Sequence, residues 1–328
     1  MNLRYLFLLS VSICANTIVS AQSDFDLSQR WFNESVYNPA ATGNSFTTGI
    51  FLHSRAQWLS TEGAPITNAI SADTYVESIR SAFGAVVTND QIGYWNSWSA
   101  KLSYAYYIPF GNASLSAGLS GYLNNRSSNV TPDYADNPGD AVLGNSRVTE
   151  YSPDFDIGLE YKGPFKLGLS VRHLLNSQST NAVFPAHSIN FWSYLSSRFN
   201  ITNNFSAEPI FSYTHRRNIN RIEGGAIFYF MKSAPKALYN DRFWVGGLFQ
   251  FKDRFAVLAG IKITPQISLG YSFDYGMYGV SDLTTIARIG THELFLSWHF
   301  DRVFYKDPEC PAYKRYSTSK KNRPLFTY

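Results

Sequence analysis

Side chains that could carry out catalysis are few in this sequence and poorly spaced for it. His292 and Glu293 are followed by His299, which is not the His-Glu-x-x-His spacing that places two zinc ligands on one helical face. Asp156 and Glu160 would lie ~13 Å apart along a strand, too far to act together as acid and base. The sequence contains no Gly-x-Ser-x-Gly elbow, Walker loop or dinucleotide fingerprint. We therefore expect no enzyme activity, no metal and no cofactor, and we assign His299 to a polar interior position.

Cysteine chemistry is equally limited. The chain has two cysteines, Cys14 and Cys310. Cys14 lies in an N-terminal segment that we expect to be removed, so Cys310 is left without a partner for an internal disulfide. No histidine or basic residue stands at a spacing that would activate Cys310. We interpret it as an unpaired structural cysteine rather than a reactive thiol.

The first 21 residues have the three zones of a secretory signal peptide. A basic start at Arg4 is followed by an apolar run, and Val19-Ser20-Ala21 forms a small-x-small cleavage site. A transmembrane anchor is the weaker interpretation because polar residues interrupt the run within too few residues to cross a bilayer. A lipoprotein signal ending at Cys14 fits poorly, since Ile13 stands where a small residue is expected.

A side-chain period of two dominates the rest of the chain and is clearest at 266–276. There Ile267, Leu269, Tyr271 and Phe273 alternate with small or polar residues, which predicts a strand with one apolar face. Such a strand suits either a secreted β-sandwich or an outer-membrane barrel. Charged residues make up only 16% of the chain and aromatic residues another 16%. A barrel in lipid has less surface for charge, so this composition favours the barrel.

We predict an all-β, antiparallel transmembrane barrel of about fourteen strands. No segment after the signal is apolar over the ~20 residues that a helical span needs, so the chain would cross a membrane with strands. The predicted strands are 45–59, 64–77, 81–89, 94–109, 112–124, 153–162, 165–175, 187–200, 203–215, 220–232, 241–252, 254–264, 266–277 and 287–300.

The connections between these strands alternate in length. The connections after even-numbered strands are mostly tight turns, whereas those after odd-numbered strands include the longest, 125–152 and 176–186. The exception is the connection 232–240, which follows an even-numbered strand and is nevertheless long. This asymmetry is typical of an outer-membrane barrel whose two termini lie in the periplasm.

The alternation also assigns faces to the strands. Apolar side chains such as Leu102, Leu119 and Leu169 would face lipid. The charged residues between the apolar positions would face the interior, where acids and bases can pair across the lumen; they are Lys101, Asp156, Glu160, Lys162, Lys166, Arg172, Lys262 and Asp274.

Two segments fall outside the alternating region 44–300. Residues 22–43 lack a period of two and are expected to form a short helix or extended arm, with Trp31, Phe32 and Tyr37 docked on another part of the protein. We treat this segment as a candidate for a plug or for a contact with periplasmic machinery. Residues 301–328 hold seven Lys and Arg against three acids, which accounts for the net charge of +4. We interpret them as a periplasmic tail, and the charge as no indication of nucleic-acid binding.

A series of short motifs resembles the PorP/SprF family of type IX secretion system outer-membrane proteins. The motifs follow the order of that family from about residue 25 to 300, and the tail with Cys310 goes beyond the resemblance. The residues that carry it are Asn38, Pro39, Ala40, Gly43, Arg55, Gln57, Trp58, Gly63, Pro65, Asn89, Asp90, Gly93, Tyr271, Asp274, His292 and Glu293.

The resemblance implies an outer-membrane barrel that works with the type IX export machinery of Bacteroidetes-type bacteria. It implies as partners the periplasmic secretion components and a large secreted surface protein, such as a gliding adhesin, which is exported or held through its C-terminal domain. We expect Arg172, Lys262 and Asp274 to contact that partner in the lumen. The alternative is a channel for small apolar molecules that resembles fatty-acid transporters.

Overall fold

The computed structural model describes residues 26–59, 61–128, 148–175, 188–217, 219–231, 241–276 and 290–300. The predicted signal peptide 1–21 and the tail 301–328 with Cys310 lie outside these residues. No helix among the described residues is long and apolar enough to span a membrane.

Fifteen strand segments make up almost all of the described chain after three short 3₁₀ turns. The segments are β1 (Thr48–Gln57), β2 (Ile66–Val76), β3 (Ser81–Ile92), β4 (Trp95–Phe110), β5 (Ala113–Ser128), β6 (Val148–Lys162), β7 (Lys166–Arg172), β8 (Asn190–Ser196), β9 (Phe199–Thr202), β10 (Phe205–Arg216), β11 (Ile219–Met231), β12 (Asp241–Gln250), β13 (Arg254–Lys262), β14 (Ile267–Gly276) and β15 (Thr291–Phe300).

The strands form one closed antiparallel barrel. Each strand pairs with its neighbours in sequence except that β8 and β9 do not pair with each other, and β1 pairs with β15 from Thr48 opposite Phe300 to Gln57 opposite Thr291. Closure leaves no edge strand, which is the condition for a sheet to sit in lipid. Because β8 and β9 both pair with β10, they form one strand of the wall, and the barrel has fourteen strands. The predicted fold is confirmed.

Pro209 explains the break between β8 and β9. Proline has no backbone N–H to donate, so it cannot complete the pair of ladder hydrogen bonds with the residue opposite it. Opposite Pro209 the ladder is interrupted at Ser197 and Arg198, and the Ser197 backbone donates to the Pro209 carbonyl at 3.4 Å. Arg198 is buried at this interruption, and its guanidinium binds Asp241.

The two ends of the barrel differ in the length of their connections. The end that carries the start of β1 and the end of β15, here the turn end, has the connections 77–80, 111–112, 163–165, 203–204, 232–240 and 263–266. The opposite end, here the loop end, has 58–65, 93–94, 129–147, 173–189, 217–218, 251–253 and 277–290. The predicted asymmetry is present, with the predicted exception at 232–240.

The wall is taller at β5 and β6 than the sequence predicted. The sequence predicts a loop over 125–152, but Asn125–Ser128 and Val148–Ser152 pair with each other as strand. This pairing leaves no apolar alternation in the sequence. Both faces of this end of the hairpin lie near or beyond the apolar band, so polar residues occupy both faces.

The outer face carries an aliphatic band between two aromatic belts. Leu102 in the middle of β4 is 71% exposed, and Leu119 and Leu169 are also exposed. Tyr104, Phe165 and Trp298 lie towards the turn end, and Trp95, Tyr151 and Phe255 towards the loop end. Exposure of this much apolar surface is stable in lipid, with aromatic side chains at the two interfaces.

A charge placed in this band should destabilise the barrel according to its depth. Leu102→Arg is expected to lower the free energy of unfolding in lipid vesicles by about 2–4 kcal/mol, because arginine at the bilayer midplane loses its hydration. Tyr151→Arg, at the loop end, is the control and should cost about 0–1 kcal/mol. Equal losses in denaturant titrations would contradict this orientation of β4 in the membrane.

Candidate functional site

The segment before β1 lies inside the barrel. Residues 26–44, here called the plug, begin near the loop end, where Asp26 contacts Arg254 at the first position of β13. They reach the turn end at Thr42, which contacts Gly84 near the start of β3. Asp26 thus lies near the opposite end of the barrel from the start of β1, and the plug runs through the lumen from the loop end to the turn end.

Local sequence explains the compact path of the plug. Three 3₁₀ turns, Arg30–Phe32, Glu34–Val36 and Pro39–Ala41, replace the predicted short helix or extended arm. Asn38 caps the third turn, because its Oδ1 accepts from the Ala40 backbone at 3.0 Å, and Pro39 supplies the φ that a first helical position needs. Such turns satisfy backbone groups within the segment, which is required inside a closed lumen.

Glycines of the wall make room for the plug. An added Cβ at Gly158 would lie 1.9 Å from Asn38 Oδ1, and one at Gly118 would lie 2.3 Å from the Pro39 carbonyl carbon. Both distances are overlaps. Gly118 is required because the plug backbone at Pro39 and Ala40 packs directly against β5, and Gly158 leaves room for the Asn38 side chain beside β6.

A cluster of ionic groups fixes the first part of the plug near the loop end. Glu293 accepts from the backbone N–H groups of Ser28 at 2.8 Å and Gln29 at 3.0 Å. The Ser28 hydroxyl donates to Asp274 at 2.6 Å, and Arg55 binds both Asp274 (2.8 Å) and Glu293 (3.1 Å). One guanidinium thus joins two wall carboxylates that both hold the plug.

The same cluster extends to the opposite side of the plug. Arg30 binds Glu223 on β11 at 2.6 Å and also pairs with Asp26. Arg254 contacts Asp26 at 3.0 Å and Asp274 at 3.2 Å. We call Asp26, Arg30, Arg55, Glu223, Arg254, Asp274 and Glu293 the loop-side cluster. Its four carboxylates and three guanidiniums alternate in space, so each buried charge has an opposite neighbour.

A second cluster holds the middle of the plug and its exit. Lys166 on β7 pairs with Glu34, and Tyr194 on β8 donates to Glu160. Asn44 donates to the other oxygen of Glu160 at 2.7 Å. All of these groups except Asn44 are buried, so this turn-side cluster ties the plug to β6, β7 and β8.

Aromatic side chains fill the space between the clusters. Trp31 packs against Trp192 and Tyr194, and Phe32 packs between Trp244 and Phe295. The sequence predicted small and charged residues on the inner face but not this apolar patch. Its inward members are Trp192, Tyr194, Ile210, Ile227, Tyr229, Trp244, Leu248 and Leu258. They are apolar because the plug gives this part of the lumen the character of a protein core.

The residues of the family motifs separate into three places. The lumen holds Asn38, Pro39, Ala40, Gly43, Arg55, Asp274 and Glu293, all of them in or against the plug. The loop-end rim holds Gln57, Trp58, Gly63, Pro65, Asp90 and Gly93, joined by bonds such as Gly93 N–H to the Gly63 carbonyl at 2.9 Å. The outer face holds Asn89, Tyr271 and His292, with Tyr271 and His292 in hydrogen-bond contact at 2.7 Å.

The three residues expected to contact a partner in the lumen differ in access. Asp274 is buried in the loop-side cluster, and Arg172 is buried with its guanidinium over the Tyr37 ring of the plug. Lys262 is half-buried at the turn end of β13. A partner that reached Asp274 would have to displace the plug.

Nothing in this arrangement resembles a metal centre. Among the described residues, no three His, Cys, Asp or Glu side chains are placed to hold a metal ion. His299 lies on the inner face of β15, half-buried, against Phe51 and within 3.3 Å of the Thr47 hydroxyl.

The family comparison gives a direct match. A family model described as "Type IX secretion system membrane protein PorP/SprF" matches residues 19–298. The match covers the plug and the barrel together. No curated protein sequence matches the chain.

Several solved barrels are similar in shape at low sequence identity. The Ralstonia pickettii toluene transporter TbuX is 10% identical with a TM-score of 0.47, over 81% of this chain and 93% of that one. A Pseudomonas aeruginosa FadL homologue is 11% identical with a TM-score of 0.46, over 81% and 94%. The Acinetobacter baumannii outer membrane protein Omp33 is 11% identical with a TM-score of 0.45, over 78% and 98%.

A single methyl group at Gly118 should expel the plug. We expect Gly118→Ala to expose the segment around Arg30 to trypsin and to produce ion conductance in planar bilayers, because the added Cβ overlaps the plug backbone at Pro39 and Ala40. Gly224→Ala is the matched control, since a Cβ there has no atom closer than 4.0 Å. If both variants resist trypsin and remain closed, the position of the plug does not depend on its close packing against this glycine.

The pair Glu34–Lys166 should show strong coupling. Lys166→Met leaves Glu34 buried without its cation and is expected to lower the free energy of unfolding by about 3–5 kcal/mol. The double variant Lys166→Met/Glu34→Gln should lose less than the single variant, because no unpaired charge remains. A double-mutant cycle with additive losses would show that the two side chains do not interact in the folded protein.

Proposed function

The chain belongs to the PorP/SprF family of type IX secretion system membrane proteins, and on that premise we propose that it holds a large secreted protein at the cell surface or assists its export. The secreted partner binds through its C-terminal domain at the loop end of the barrel. A gliding adhesin is the kind of partner that such a role fits. The protein acts in the bacterial outer membrane with its turn end in the periplasm.

The observation that carries this proposal is the occupied lumen. The plug contacts wall strands on every side: Ser28 reaches β14 and β15, Arg30 reaches β11, and Asn38 reaches β6. Its charges are paired with wall charges, and its aromatic rings are packed against wall rings. A lumen occupied in this way favours a role in which a partner binds to the barrel over one in which a substrate passes through it.

The loop end is the surface that we assign to the secreted partner. The long connections 129–147 and 173–189 belong to this end, and the first of them joins β5 and β6, which are among the longest strands of the wall. Long external connections are where outer-membrane barrels vary and bind. The short turns of the opposite end are left for the periplasmic secretion components.

A channel for small apolar molecules is the competing function. It would need a path past the buried ionic groups of the loop-side cluster, and desolvating those groups next to an apolar solute is costly. Sustained conductance or solute flux through the unmodified protein in planar bilayers would favour the channel. We expect the unmodified barrel to be closed.

Co-purification with a secreted protein tests the proposed function. Tagged protein extracted gently from its native outer membrane should carry a large secreted protein with it. Deletion of 129–147, replaced by a short Gly-Ser linker, should release that protein into the medium while the barrel still folds. Deletion of 279–286, in another loop-end connection, is the control and should leave retention unchanged. Full retention by the first variant would remove this loop from the proposal.

A further inference from the structure

An unpaired stretch of sheet edge lies at the turn end of the barrel, along β9. β10 pairs with both β8 and β9, whereas β7 pairs only with β8, whose last residue Ser196 stands opposite Lys166. Beyond this pair the hairpin of β6 and β7 has already turned at 163–165. On the side away from β10, no strand among the described residues pairs with β9.

β9 extends past its neighbour in the wall towards the turn end. It begins three positions after Ser196, so its four residues lie roughly 8–15 Å beyond the level of Ser196 at the usual strand rise and barrel tilt. All four residues are exposed, with Phe199 at 43% and Ile201 at 52%. The edge is therefore open to a further strand outside the part of the wall that closure seals.

A comparable overhang on β4 is blocked by a proline. β4 continues past the first residue of β3, and there Tyr107 donates its backbone N–H to the Arg80 carbonyl at 2.8 Å. Backbone groups alternate in direction along a strand, so the nitrogen of Pro109 faces the same side and has no hydrogen to donate. Proline and charge are two ways in which proteins protect sheet edges. β9, with the sequence Phe-Asn-Ile-Thr, has neither.

Asn200 presents the free backbone groups of this edge. Ser197 donates its N–H towards β10, to the Pro209 carbonyl, and Phe199 stands opposite Ala207 two positions further along the same register. By alternation, the N–H and C=O of Asn200 point away from β10. An uncharged edge of this kind accepts an extended segment by strand addition.

We propose that residues 325–328 of this chain, Leu-Phe-Thr-Tyr, pair with β9 as an added strand. The tail that contains them starts at the correct end of the barrel, because Phe300 stands opposite Thr48 at the turn end. The segment has the length of β9, no charge and no proline, and its aromatic and β-branched residues suit a strand. The other uncharged run of four in the tail, Tyr316–Ser319, has one aromatic and no aliphatic side chain to pack beside Phe199 and Ile201.

The length of the tail fits the distance that it must cross. β15 and β9 are six strand positions apart in the wall, so they lie on opposite sides of a barrel roughly 28 Å across. The 24 residues 301–324 connect them, and a flexible chain of that length has an end-to-end distance of about 25–29 Å. A linker whose length matches the span gives an effective concentration in the ~mM range. A pairing of only four residues therefore holds within one chain, where a separate periplasmic protein at low concentration would not hold it.

Pulsed electron paramagnetic resonance on the full-length protein in nanodiscs tests this proposal. Spin labels are placed at Asn203→Cys, in the turn after β9, and at Thr327→Cys, in a Cys310→Ser background. We expect a narrow distance distribution below about 20 Å, because neighbouring strands lie about 4.8 Å apart and the labels add the remainder. A broad distribution, as for a free chain end, would overturn the proposal.

A matched pair of variants at one position locates the contact. Asn200→Pro removes the outward N–H and leaves the ladder with β10 intact, so the fraction of molecules with the short distance should fall at least about fivefold, as for one lost hydrogen bond. Asn200→Thr keeps the N–H and should leave that fraction unchanged. A short distance that persists in Asn200→Pro would show that the tail docks elsewhere and would overturn the assignment to β9. Circular dichroism and thermal unfolding establish that both variants fold.

Two further measurements identify what occupies the edge. Dilution of the doubly labelled protein with unlabelled protein should leave the short distance unchanged; its loss would assign the contact to the tail of a second copy. The same distance measured in native outer membranes should also be short. A short distance in nanodiscs that becomes broad in native membranes would show that a periplasmic protein displaces the tail, and would overturn the tail as the occupant of β9 in the cell. Retention of a secreted partner at the loop end is measured separately, so either result leaves the proposed function to its own test.

Discussion

Charge pairing across the lumen is the constraint on which the rest of this structure depends. A carboxylate or guanidinium enclosed in a barrel is stable only when an opposite charge or several donors lie in contact with it. The wall alone does not meet this condition, because Asp274, Glu293 and Glu223 all use groups of the plug. Plug and wall therefore complete each other, and neither is expected to be stable without the other.

Steric fit, in addition to charge pairing, fixes the position of the plug in the lumen. Gly118 packs against the plug backbone and Gly158 against the Asn38 side chain, whereas the rings of Trp192, Tyr194 and Trp244 fill the remaining width of the lumen. Because small residues line one side of the lumen and large residues the other, the plug fits in a single position. A barrel built in this way resembles a globular core wrapped in a lipid-facing sheet more than it resembles a pore.

The sequence predicted the strands of the barrel wall far better than it predicted the plug and its contacts in the lumen. Alternation of the kind seen at Ile267–Gly276 repeats because lipid on one side imposes it, so strand number, closure and facing residues follow from local pattern. Inner-face charges such as Lys101, Asp156 and Glu160 were identified for the same reason, and all three are buried.

The local sequence pattern does not predict which residues distant in the chain bind each other. Arg55 bonds to Glu293, and Arg30 to Glu223, across more than a hundred residues of chain. The apolar inner patch around Trp192 and Trp244 was missed because it depends on the plug, which has no period of its own. One signal was available: Trp31, Phe32 and Tyr37 stand close together in a polar segment, which predicted that they dock on another part of the protein. Where they dock required the structure.

We expect the barrel to hold its partner with the plug in place. A direct test joins Thr42→Cys to Gly84→Cys, whose side chains would meet at the turn end, in a Cys310→Ser background. Retention of the secreted partner is then measured on cells before and after reduction of the disulfide. We predict equal retention in the locked and reduced states. Loss of the partner on oxidation, restored by reduction, would show instead that the plug must leave the lumen for the partner to be held.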